Sequence, residues 1–158
     1  MCGIIGISSN KSVSANIINS LKKLEYRGYD SAGVATLFGG EINEVKSEGR
    51  VDNLEQNFDL KSLKGNIGIG HVRWATHGFP NSINAHPHSS DNVSVVHNGI
   101  IENSTILKKH LVNKGHTFKS QTDTEVIVHL ITENLKTMEL EEAITKTLKQ
   151  LHGSFALG

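Results

Sequence analysis

The first apolar run of the chain, CGIIGI at residues 2–7, is continuous, rich in β-branched residues and short. A run of this length and composition reads as a buried strand. It is far too short to cross a membrane. No basic segment precedes it and SSNKS follows at once, so it lacks the layout of a secretory leader. A strand at the amino terminus ties down a part of a chain that is ordinarily loose. It also carries the only cysteine, Cys2.

Further strands and helices alternate along the sequence. VSANIINSLKKLEYRG places Ile17, Ile18, Leu21 and Leu24 on one helical face, with Gly28 as its stop. GVATLF, Gly39-Gly40 and EINEVK read as a β-hairpin. VDNLEQNF reads as a short helix and NIGIGHV as a strand. Arg73 to Asn92 is polar, contains both prolines and reads as one long loop, a length usually kept for function. VSVVH is a strand and STILKKHLVNKG a helix. Thr122 and Glu125 form a capping box that opens TEVIVHLITENLK. A last helix covers residues 140–151, and GSFALG begins a strand. No repeat, linker or low-complexity stretch divides the chain, so residues 1–158 are expected to form one domain of α/β or α+β class. The abrupt apolar end points to a chain cut from something longer.

Composition narrows the function. Lys plus Arg (16) balances Asp plus Glu (16), and charged residues make up 20%. Such a balance offers no basic face for nucleic acid and no polybasic segment for a membrane surface. One cysteine rules out an internal disulfide or a CxxC pair, which fits a reducing compartment. The chain is expected to be soluble and cytoplasmic.

A lone cysteine is most often a small buried hydrophobe. Position 2 offers another use. Methionine before a small residue is commonly trimmed, which would leave Cys2 with both a thiol and a free α-amine. An α-amine titrates at about 7.7–8.0 and a thiol at about 8.5. One residue would then supply nucleophile and base together.

Four other stretches concentrate polar groups. In GHVRWATHG, Arg73 can clamp a carboxylate through its guanidinium. Thr76 and His77 add donors, and Trp74, the only tryptophan, can form a lid or wall. The bland alternative is a surface arginine, a core tryptophan and a turn. In VVHNGIIEN, Asn98-Gly99 is a strong hairpin-turn signal. An Asn amide followed by a Gly N–H is also a workable oxyanion hole. In SQTDTEV, Asp123 either complements a helix start or accepts an ammonium. Paired with Arg73 it would bracket an α-amino acid. In EYRGYDSAG, Arg27 is a cap-and-turn residue or a support near Cys2. NAHPHSS, with His86 and His88 around a proline, lacks the Cys or carboxylate partners of a metal site. GNIGIG has no following helix to make it a phosphate cradle.

Taken in order, MCGIIG, YRGYDSAG, GHVRWATHG, NAHPH, VVHNGIIEN and TDTEV resemble the glutaminase domain of the isomerising glutamine–fructose-6-phosphate aminotransferases, within the class II glutamine amidotransferases. The resemblance runs along essentially the whole chain. It implies a four-layer αββα sandwich of the N-terminal nucleophile hydrolases. The stop at Gly158 leaves that sandwich incomplete at its C-terminus, without the sugar-isomerase domains. It implies hydrolysis of L-glutamine through a Cys2 thioester, with the ammonia passing to fructose 6-phosphate in the full-length enzyme. The roles implied are nucleophile for Cys2, oxyanion binding for Asn98 and Gly99, and carboxylate binding for Arg73 with Thr76 and His77. Asp123 would bind the amino group and Trp74 would close the site. Arg27 and His86 would be supporting positions. No cofactor or metal is implied, and a homodimer is expected of the full-length enzyme. Two other readings stay open. One is the glutaminase domain of a different class II enzyme such as amidophosphoribosyltransferase; the other is a fragment that binds glutamine without turning it over.

Overall fold

The computed structural model of the chain describes residues 2–75 and 78–158. CGIIGI forms the predicted strand, β1 (Gly3–Ser8). It is followed by α1 (Ser14–Leu24), the hairpin β2 (Ser31–Phe38) and β3 (Glu41–Glu48), α2 (Asp52–Asn57) and β4 (Ile67–Arg73). These strands make an antiparallel sheet in the order β1-β4-β2-β3. The apolar stripe of α1 closes one face. Ile17, Ile18 and Leu21 pack with Val34 and Val72 from the sheet and with Val51 and Leu54 around α2. Helix α1 ends in a 3-10 turn at Glu25–Arg27, and Gly28, with φ of 110°, breaks the helical path.

The second half builds the other side. β5 (His88–Ser90), β6 (Val93–Val95) and β7 (His97–Ile101) lead into α3 (Ser104–Asn113), α4 (Glu125–Leu135), α5 (Leu140–Gln150) and β8 (Gly153–Leu157). β5 pairs with β6, and β7 with β8. Val96 exchanges two backbone hydrogen bonds with Gly158, at 2.9 and 3.0 Å, which joins the two pairs end to end. Val95 and Ile101 pack here against Leu107, Leu111, Val126, Leu130 and Leu151 from the helices. Each sheet therefore has its own helix-covered core. The layers run helix, sheet, sheet, helix, the αββα arrangement expected.

The layer between the two sheets is polar. His71, His86, His88 and His97 are all buried there, with Thr122 and Thr124. Histidine and threonine suit such a layer only if hydrogen bonds replace lost water, because an unpaired buried polar group costs about 1–3 kcal/mol.

Three expectations need correction. Asn98-Gly99 is not a hairpin turn. It lies inside β7, whose partner β8 comes some fifty residues later along the chain, so the flanking apolar runs do not pair with each other. The expected loop from Arg73 to Asn92 contains a short strand, β5, and the turn there is at Asp91, with φ of 49°. Thr122 does not cap α4; the cap position is Thr124. Glu125 does reach back, but to the N–H groups of Lys119 (2.8 Å) and Ser120 (2.7 Å), while the Thr122 hydroxyl is drawn to His88 Nε2 at 3.0 Å.

Leu21 has no exposed surface and sits where α1 meets the sheet. Leu21→Ala is expected to destabilise the chain by about 2–5 kcal/mol. The check is a lower urea midpoint with an unchanged denaturant slope.

Candidate active site

The register of β1 on β4 places the thiol. Gly3 lies opposite Val72, so Cys2 comes alongside the end of β4 and the residue after it. Cys2 Sγ accepts a hydrogen bond from the Trp74 N–H at 3.2 Å and faces the Trp74 carbonyl at 3.4 Å. The thiol is half-buried and takes no part in a disulfide. Met1 lies outside the described residues, as do Thr76 and His77.

Cys2 opens into a cavity of about 480 Å³. Arg27, Arg73, Trp74, His86, Asn98, Gly99 and Asp123 also line it. Of the described candidates, all are therefore brought to one place, from β1, the 3-10 turn, β4, the 78–87 loop, β7 and the approach to α4. The Trp74 ring is half exposed and covers Gly28 so closely that a Cβ there would meet it at 2.1 Å. That contact explains a glycine in YRGYD: it seats the tryptophan.

Arg73 is buried, and its guanidinium is already engaged. It lies 3.6 Å from Asp30 Oδ1 and donates to the carbonyls of Gly78 (3.3 Å) and Phe79 (3.4 Å). Asp30 fastens the same corner in other ways. Its N–H donates to the Arg73 carbonyl at 2.8 Å, and its Oδ2 accepts from the Ala75 N–H. Asn84 and Gln121 hold the start of the following loop. Asn84 Nδ2 donates to the Phe79 carbonyl at 2.9 Å, and the Gln121 N–H donates to Asn84 Oδ1, also at 2.9 Å.

On the facing wall, Asp123 Oδ2 accepts the Ile101 N–H at 2.8 Å, and Oδ1 is 4.0 Å from His97 Nδ1. In an antiparallel ladder, alternate residues turn their N–H groups to opposite edges. Val96 and Glu102 point theirs at the β8 side, to Gly158 and His152. The Ile101 N–H is turned to the opposite edge, to Asp123. Gly99 has φ of 125°, and a Cβ there would meet the Ser154 carbonyl oxygen at 2.1 Å. No other residue fits this point of the ladder.

His86 donates to or accepts from the Thr124 hydroxyl at 2.7 Å, and His97 Nδ1 meets the same hydroxyl at 2.9 Å. Burial favours the neutral form of His71, His86 and His88. It pushes His71 down to about 4, despite hydrogen bonds to Asn98 and His97. It pushes His88 down to about 3, with Lys46 adding to the effect, and His86 well below the usual range. Among the described residues, no group of three or more His, Cys, Asp or Glu side chains is arranged to hold a metal ion. Asp30 and His71 were quoted within motifs but given no role by sequence reasoning. Their importance lies in which backbone atoms they reach, and residue types do not reveal that.

Residues 73–158, just over half of the chain, match the family model described as a glutamine amidotransferase domain, and the chain belongs to that family. The particular relatives are consistent. The chain is 54% identical over 158 residues to glutamine–fructose-6-phosphate aminotransferase (isomerising) of Mesorhizobium japonicum, covering 99% of this chain and 26% of that protein. It is also 54% identical to the protein of the same name from Pyrococcus horikoshii, covering 99% of this chain and 27% of that one. Among solved structures, the Bacillus subtilis glutamine phosphoribosylpyrophosphate amidotransferase superposes with a TM-score of 0.86 at 31% identity, over 99% of this chain and 34% of that one. A structure described as the allosteric regulatory enzyme of purine biosynthesis superposes with a TM-score of 0.87 at 32% identity, over the same shares of the two chains. The fold is thus the N-terminal nucleophile hydrolase sandwich of the class II glutamine amidotransferases. The chain spans about a quarter of the length of the curated relatives it matches. No helix among the described residues is long and apolar enough to cross a membrane.

The buried neutral histidines make stability fall with acid. Their folded pKa values lie below the ordinary value of 6.5. The unfolded chain therefore takes up protons first, and stability, complete above pH 6.5, declines as the pH drops toward 4. The slope is about 1.4 kcal/mol per pH unit for each histidine. Burial alone would raise Glu125, but the His129 imidazole 3.5 Å away and hydrogen bonds from the Lys119 N–H and from Ser120 hold it down to about 2 against an ordinary 4.5. Its contribution is lost only between pH 4.5 and 2. Urea midpoints are expected to fall between pH 7 and pH 5, where the histidines act without Glu125. A flat profile over that interval would contradict this arrangement.

Proposed function

We propose that this chain hydrolyses L-glutamine to glutamate and ammonia, with Cys2 as nucleophile. The observation that carries the reading is the position of Cys2 Sγ, on the Trp74 backbone at the edge of the cavity that Asn98, Gly99, Arg73 and Asp123 also line. An amide-hydrolysing thiol needs an oxyanion site beside it and a means of holding the rest of the substrate.

In this reading, removal of Met1 exposes the α-amine of Cys2, which accepts the thiol proton. The sulfur attacks the side-chain carbonyl carbon of glutamine. The oxyanion is held by the Asn98 amide and the Gly99 N–H. The C–N bond breaks, ammonia departs with the transferred proton, and a thioester remains. Water then adds to the thioester and releases glutamate and the free thiol. Arg73, with Thr76 and His77, takes the substrate carboxylate, and Asp123 takes its ammonium. Preformed bonds from Arg73 to Asp30 and the loop carbonyls keep the guanidinium in place before substrate arrives, which limits the ordering required on binding. Trp74 closes the cavity over Gly28, and Arg27 and His86 support its walls.

The identity to the aminotransferases favours delivery of the ammonia to fructose 6-phosphate, bound by sugar-isomerase domains of a longer, homodimeric polypeptide. Residues 1–158 would then be its glutaminase domain, incomplete at the C-terminus, working in the cytoplasm without cofactor. The phosphoribosyl alternative is less supported, because identity to those solved structures is 31–32% against 54% for the aminotransferases.

An electrophilic glutamine analogue is expected to add once, at Cys2, by intact mass, and not at all in Cys2→Ala. Asp123→Asn should slow adduct formation roughly tenfold to a hundredfold, the effect of losing one hydrogen bond to a charge. A chain that lacks Met1 and reacts with simple alkylators, yet takes no analogue, would leave glutamine hydrolysis without support.

A further inference from the structure

His71 belongs to β4, opposite Ile4 of β1 and Gly33 of β2, and has no exposed surface. It is not one of the residues that line the cavity. Its ring crosses the polar layer to the other sheet. There Nε2 lies 3.0 Å from the carbonyl oxygen of His97 and 2.8 Å from Asn98 Oδ1.

The carbonyl decides the tautomer. A backbone oxygen only accepts, so a bare Nε2 would set two lone pairs against each other in a dry interior. The proton therefore sits on Nε2, shared between two oxygens in a three-centre bond of a common kind. The other nitrogen, Nδ1, has no hydrogen-bond partner among the described residues. It is the bare one, which is the cheaper arrangement, since a protonated Nδ1 would leave a buried donor unmet. Burial keeps the ring neutral down to about pH 4, so this tautomer holds throughout the neutral range.

The tautomer in turn decides the Asn98 amide. A donor at 2.8 Å needs an acceptor, so the amide oxygen faces His71 and the NH₂ group is the end left for the cavity. The reversed amide would oppose two donors inside and present an oxygen lone pair to any developing oxyanion. We propose that His71 is a positioning residue that fixes the Asn98 amide in its donating orientation and never touches substrate. The ring is itself held. His86 stacks on it at 4.3 Å between centroids, with planes 28° apart. His86 and His97 then meet on the one hydroxyl of Thr124. The assignment rests on the glutaminase reading, because it gives the Asn98 amide its purpose.

The test compares His71→Gln with His71→Leu. Gln carries an NH₂ that can meet the same two oxygens; Leu fills the space with no donor. His71→Leu is expected to lower kcat for glutamate release by about tenfold to a hundredfold, less than the loss of a whole oxyanion donor. KM should stay within about twofold, and His71→Gln should recover most of the kcat. In an Asn98→Ala background, His71→Leu should add little further loss, since the group it orients is gone. Equal losses in the two variants, a change in KM instead of kcat, or full additivity with Asn98→Ala would each overturn the proposal. Imidazole ¹⁵N spectra of the unmutated chain at pH 7 give a readout independent of turnover. A neutral ring protonated on Nε2 supports the assignment, and protonation on Nδ1 refutes it. If the unmutated chain neither releases glutamate nor takes the glutamine analogue, the glutaminase reading fails, and the tautomer still decides the hydrogen bond.

Discussion

The antiparallel pairing of β1 with β4 is the constraint on which the site depends. It takes the first residues of the chain and lays them beside residues 67–72. The strand ends coincide, so the thiol at the start of one meets the backbone at the end of the other. Everything that fixes β4 therefore also fixes Cys2: the pairing of β4 with β2 on its other side, the α1 stripe behind the sheet, and the Asp30 bonds to Arg73 and Ala75.

The second organising feature is the polar layer between the sheets. Elsewhere the chain separates apolar cores from water in the ordinary way. Between the sheets it buries four histidines and two threonines, and burial keeps His71, His86 and His88 uncharged. In such a layer the low dielectric strengthens each hydrogen bond that is made and penalises a donor left unmet, so a ring nitrogen without a partner is best left bare, as at His71 Nδ1. The return is directional. His71, held to one tautomer by the His97 carbonyl, passes that order to the Asn98 amide. An apolar layer would be simpler to pack and would orient nothing.

Much of this was legible beforehand, and the reasons differ from element to element. Helix α1 and the β2–β3 hairpin follow local rules of periodicity and turn chemistry, and both occur where those rules put them. The thiol, the arginine, the Asn-Gly pair and the aspartate were recognisable as chemistry, and the cavity collects them all. Asn98-Gly99 and Thr122–Glu125 were misread as a turn and a cap for one shared reason. Both patterns are local signals, and in each case other partners claimed the groups: the distant β8 took the strand, the distant His88 took the Thr122 hydroxyl, and the nearby Lys119 and Ser120 N–H groups took the Glu125 carboxylate. The short β5 was hidden in a polar segment, because a strand of three residues is made by its partner and not by its own pattern.

By itself, then, the sequence determined most of the elements, their order, the single thiol and its place at residue 2, because covalent order and hydrophobic periodicity are properties of the chain alone. Tertiary structure decided which wall each group occupies, that Arg73 is held by Asp30 before any ligand arrives, and that His71 faces Asn98 with a proton between them. Those facts depend on register between strands far apart in sequence. One residue of slippage would turn every side chain to the opposite face, and nothing in the local sequence records which register the assembled sheets select.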